Sequence, residues 1–73
     1  MTNTTLLEKK IEESGFRKGH IAKVLGLSAY GLTLKIRNES EFKASEIDAL
    51  CDLLGIESWE EKDAIFFAKE VDL

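Results

Sequence analysis

Apolar residues recur along this chain at helical spacing, and glycines interrupt the pattern three times. Leu7 and Ile11 share one face with Leu6 beside it, while Lys9, Lys10, Glu12 and Glu13 form a charged opposite face. Thr5 and Glu8 have the T-x-x-E spacing of a capping box, which predicts that the first helix starts at Leu6. Gly15 ends it, and Phe16 is expected to fold back as a core anchor. Ile21, Ala22 and Leu25 make the apolar stripe of a second helix over Lys18 to Leu25. Gly26 allows a sharp turn, Leu27 can plug the corner, and Ser28 is a good N-cap. A third helix over Ala29 to Arg37 then places Leu32 and Ile36 inward. After a polar loop whose apolar residue, Phe42, is expected to dock on the core, Ile47, Leu50, Cys51 and Leu54 form a stripe. It predicts a fourth helix over Ser45 to Leu54, closed by Gly55. Ser58 and Glu61 again have capping-box spacing and open a fifth helix with Trp59 in its first turn. Ile65, Phe66 and the residues from Ala68 to Val71 close the apolar pattern.

No strand-like alternation with turn dipeptides appears, so the fold class expected is all-α, a single domain over residues 1–73. A chain of 73 residues, 44% hydrophobic and free of proline, can bury a small core and is unsuited to disorder. The lone cysteine, Cys51, excludes an internal disulfide and is expected to be a core thiol. The first ten residues lack the apolar run of a signal peptide, and no stretch is long enough for a membrane span; a cytoplasmic protein is expected. The net charge is −4, but it is unevenly spread: residues 1–43 carry +3 and residues 44–73 carry −7. The basic half holds the second and third helices, although +3 is a small charge for gripping a phosphate backbone.

Helix, short glycine turn, helix over about residues 17–37 is the helix-turn-helix pattern. Within it, IAKVLGLS resembles the L-A-x-x-L-G-[IV]-S run of the Cro and lambda-repressor superfamily. FKASEIDALCDLLGI resembles the fourth helix of that fold, and EKDAIFFA the tail of small phage-encoded members, so the resemblance covers nearly the whole chain. It implies a compact five-helix bundle like the DNA-binding domain of lambda repressor. It also implies a small phage or prophage regulator that binds double-stranded operator DNA in a lytic–lysogenic type of switch. Carried over, the third helix would enter the major groove, with Ala29, Tyr30 and Thr33 at the bases, Leu34 and Arg37 further along, and Ser28 also in the DNA-binding set. Lys18, which stands where the family often has a glutamine, would reach phosphate, as would Lys35, Arg37 and Lys43.

Read by chemistry, that helix departs from the family. Its first two turns hold no Arg, Asn, Gln or Glu for bidentate base recognition; Ala29 and Thr33 suit a thymine methyl, and Tyr30 one hydrogen bond. Tyr30 and Leu34, four apart, make a second apolar face rimmed by Lys35 and Arg37, a composition that suits a protein partner. Two readings therefore stand: operator binding, alone or jointly with a repressor, and an antirepressor that grips the partner repressor through Tyr30 and Leu34. Phe67 either completes an apolar terminus or pairs two copies or a partner through the last helix. An enzyme is not expected, because His20 has no nucleophile or metal-ligand set at motif spacing and GFRKGH lacks P-loop spacing. No metal or cofactor is expected.

Overall fold

A computed structural model describes residues 1–69, which leaves the expected apolar closure at Val71 outside the described residues. Five helices follow one another: α1 (Thr4–Ser14), α2 (Lys18–Leu25), α3 (Ala29–Ile36), α4 (Ala44–Leu54) and α5 (Trp59–Phe66). No strand occurs among the described residues, and the fold is all-α. The predicted stripes converge: Leu7, Ile21, Leu32, Leu50 and Ile65, one from each helix, are the largest fully buried side chains. Each helix thus contributes one face to a single core, which is how short helices of marginal intrinsic stability are held. Cys51 lies in that core, where burial pushes its thiol pKa up and keeps it from being a ready nucleophile. Phe42 reaches the core from the α3–α4 loop and meets Phe66 edge-on at 5.7 Å.

The α2–α3 corner forms for a local reason. Gly26 takes φ 73°, its N–H donates to the Lys23 carbonyl at 3.1 Å, and the Leu27 N–H donates to Ala22 at 2.8 Å. These paired bonds are a Schellman ending, in which a glycine avoids the Cβ clash of the left-handed region. Leu27 then packs against the core. The same ending closes α3 with a different residue: Asn38 takes φ 65°, and the Glu39 N–H donates to Leu34 at 2.9 Å.

Three boundaries differ from the sequence expectation. α1 starts at Thr4 rather than Leu6, because Asn3 caps it, its Oδ1 accepting the Leu6 N–H at 3.1 Å. Asn is the stronger N-cap, and the N-terminal segment is also tied down by tertiary bonds. The Asn3 N–H donates to Ile65 at 2.6 Å, the Thr4 hydroxyl to the Ile36 carbonyl at 2.6 Å, and the Ala68 N–H to Met1 at 2.9 Å. α3 ends at Ile36, with Arg37 as its cap, and α4 starts one residue earlier than expected, at Ala44. Phe16 is not a core anchor: it is 40% exposed and stacks on His20 with ring centroids 5.3 Å apart.

Asn38 ties the N-terminal segment to the end of α3. Its Oδ1 accepts the Thr2 N–H and its Nδ2 donates to the Thr2 carbonyl, both at 2.7 Å, across 36 positions of sequence. Asn38→Gly keeps the left-handed backbone and loses this clamp, at an expected cost of about 2 kcal/mol for two bonds. Asn38→Ala loses the same clamp but keeps a Cβ in the left-handed region, without the polar side chain that lets asparagine tolerate it, and should cost about 1 kcal/mol more than Asn38→Gly. Urea denaturation of the two variants checks the order; equal stabilities would refute the backbone share of the effect.

Candidate functional site

The outer face of α3 carries Tyr30, the most exposed of the large hydrophobic side chains among the described residues. Ser28 stands in extended conformation, and its hydroxyl accepts the Gly31 N–H at 2.9 Å, which satisfies an orphan donor of the first turn. A Cβ on Gly31 would lie 3.1 Å from that hydroxyl, so the glycine lets the cap sit close. Leu32, Lys35 and Ile36 are buried on the inner face. On the outer face Ala29 and Arg37 are exposed, Tyr30 is 72% exposed, and Thr33 and Leu34 are half-buried. The Thr33 hydroxyl turns back to donate to the Ala29 carbonyl at 3.1 Å. Tyr30 and Leu34 thus lie one turn apart on the outer side, with Ala29, Thr33 and Arg37 beside them.

Lys35 is a correction. Expected as a phosphate contact, it is instead only 8% exposed and forms an ion pair with Glu46 of α4 at 3.1 Å. Its Nζ also donates to the Glu41 carbonyl at 2.7 Å. The physical reason is helical angle: Lys35 is three residues after Leu32 and so lies on the flank of the core face. The charge of a lysine favours the solvent side, and the Glu46 carboxylate offsets that preference here. Glu46 is held by more than Lys35, since its Oε1 also accepts the Lys43 N–H at 2.8 Å. Burial pushes the Glu46 carboxyl up, yet the Lys43 N–H and the Lys35 ammonium outweigh it, and the net pKa lies below the ordinary glutamate value.

The remaining cations are placed differently. Lys18 starts α2, is exposed, and pairs with Glu8 at 2.9 Å; such an exposed pair contributes little and exchanges readily. Lys43 is exposed at the N-cap of α4, and Arg37 at the end of α3. Arg17, Lys23, Arg37 and Lys43 have no carboxylate partner among the described residues.

Other apolar groups are exposed as well. Val24 is 47% exposed, because it lies off the Ile21–Leu25 stripe. His20 and Val24 are four apart on the outer side of α2, and Phe16, just before that helix, stacks on His20. At the other end of the chain Trp59 is 64% exposed and faces Phe67, itself 47% exposed, at 6.2 Å. The Lys62 ammonium sits 5.9 Å from the Trp59 ring while pairing with Asp48. Residues 59, 63 and 67 fall four apart, which sets the two rings on one side of α5. Ile65 and Phe66 are buried, so the apolar terminus divides between core and surface.

Among the described residues no three His, Cys, Asp or Glu side chains converge in a way that could hold a metal ion. No helix of the described residues is long and apolar enough to cross a membrane. Comparison with protein-family models, with curated proteins and with solved structures finds no match for this chain.

Proposed function

We propose that this protein is a small Cro-like transcription regulator, acting in the cytoplasm of a phage or prophage host, whose α2 and α3 serve as a helix-turn-helix. The observation that carries the reading is the two-sided α3. Leu32, Lys35 and Ile36 bind it to the core, while Ala29, Tyr30 and Arg37 stand exposed behind a tight, capped corner. A helix held on one side by packing and bare on the other is the geometry that major-groove entry requires. In this reading α3 lies in the groove of operator DNA, with Ser28, Ala29, Tyr30, Thr33 and Leu34 toward the bases. Arg37, Lys18 and Lys43 take phosphates, and Lys35 leaves that set because it is consumed by Glu46. Two copies pair through the outer face of α5, where Phe67 and Trp59 are exposed.

The test is binding of the purified protein to the DNA upstream of its own gene, with random duplex as control, across a salt series. Specific binding with a steep salt slope is expected, and Arg37→Ala should reduce that slope by about 1 as one phosphate contact is lost. Binding no better than random duplex at low salt would overturn the operator reading.

A second reading is favoured by one observation: Tyr30 is an aromatic ring 72% exposed beside Leu34, a profile that suits an anchor in a protein interface. Here the protein is an antirepressor that grips a partner repressor with α3. Tyr30→Ala and Leu34→Ala would each weaken that complex by about 1–3 kcal/mol. Calorimetry with the neighbouring repressor separates the two, since undiminished binding by the double variant would sink the antirepressor.

A further inference from the structure

We infer that, if α3 reads DNA as proposed above, it selects its operator through thymine methyl groups rather than through hydrogen bonds to base edges. The inference rests on the operator-binding reading and adds what is read. Base edges are ordinarily distinguished by bidentate Arg, Asn, Gln or Glu, none of which stands in the first two turns of α3, and the Ser28 and Thr33 hydroxyls are each oriented by a local bond. Ser28 Oγ holds the Gly31 N–H at 2.9 Å, and Thr33 Oγ1 donates to the Ala29 carbonyl at 3.1 Å. Lys35, the one charged side chain within α3, is turned inward to Glu46 and the Glu41 carbonyl. Gly31 presents no side chain. What the outer face offers to the bases is therefore the Ala29 methyl, the Thr33 methyl, the Leu34 side chain and the Tyr30 ring with its hydroxyl, while Arg37 at the end of the helix goes to phosphate.

In the major groove the matching apolar feature is the C5-methyl of thymine, which uracil lacks while keeping the same hydrogen-bonding edge. Each methyl taken out of water contributes about as much as a buried methylene, roughly a fourfold change in affinity. Loss of several methyls across an operator should therefore multiply to an effect of tenfold or more, without touching phosphate contacts.

The test compares one upstream DNA fragment made in two forms, with thymine and with uracil throughout, against the wild-type protein across a salt series. The expected result is a tenfold or greater loss of specific affinity for the uracil form, with an unchanged salt slope. Thr33→Ser keeps the hydroxyl and its bond to Ala29 but removes the methyl, and should shrink the thymine-to-uracil ratio. Equal affinity for both forms, with specific binding retained, would overturn the methyl inference and leave the operator reading standing. Failure to bind the thymine form specifically would overturn the operator reading and the inference with it.

Discussion

Lys35→Ala should lower the unfolding free energy by about 3 kcal/mol, a large loss for a chain of this size. The side chains of Lys35 and Glu46 are only 11% and 9% exposed, and their ion pair ties α3 to α4. Removing the lysine leaves the Glu46 carboxylate buried without its cation and the Glu41 carbonyl without its donor. Leaving one charge of a buried pair uncompensated costs more than the pair contributed over a neutral core. The double variant Lys35→Met/Glu46→Gln should accordingly recover most of the loss. Urea denaturation at neutral pH reads both, and a single Lys35→Ala variant as stable as wild type would refute the structural role. Acid titration reports the same contact. Because the folded pKa of Glu46 lies below its unfolded value, its stabilisation is complete above the ordinary glutamate range. It fades as pH falls below about 4.3 toward the depressed folded value. Glu46→Gln should flatten that acid limb, and an unaltered limb would show that other carboxylates produce it.

Leu32→Ala should cost about 3 kcal/mol, whereas Tyr30→Ala, two residues away, should stay within about 0.5 kcal/mol of wild type. Leu32 is fully buried beneath α3, and truncation leaves a cavity among the closely packed side chains of the core. Tyr30 is 72% exposed and supports nothing beneath it. The binding effects should run on a different scale. Tyr30→Ala should impair binding at unchanged thermal stability, while Leu32→Ala should impair binding because α3 loses its seat. Thermal unfolding measured beside DNA and repressor binding separates the two. Normal binding by Tyr30→Ala to both ligands would remove the outer face of α3 as the functional surface.

Local physics accounts for most of the elements. The stripes of Leu7 with Ile11, Ile21 with Ala22, Leu32 with Ile36, and Ile47 with Leu50 and Cys51 all turn inward. They do so because i, i+3 and i+4 spacing places side chains on one face wherever the helix lies. Gly26 and Ser28 were equally legible, because a left-handed turn and an N-cap are decided by the residues that make them. The exposed Tyr30 followed from the same angular reasoning, since Leu32 and Ile36 had claimed the opposite side.

The departures all involve groups whose partners are far away in sequence. Thr5 and Glu8 had the spacing of a cap, but Asn3 capped α1 while its own N–H and the Thr4 hydroxyl found carbonyls on α5 and α3. Phe16 had the composition of a core residue, yet the core was filled by five helical stripes and the ring came to rest on His20. Asn38 read as a loop residue, and nothing near it announced a double hydrogen bond to Thr2. Lys35 was expected to face outward, and Glu46 of α4 draws it inward by providing a carboxylate at 3.1 Å. Periodicity and capping are short-range properties, written in neighbouring residues, so the helices, their inner faces and the α2–α3 corner belong to the sequence. Which charge is neutralised, which ring finds room and which terminus is clamped depend on groups that only the folded chain brings within a few ångströms, where desolvation makes each pairing matter.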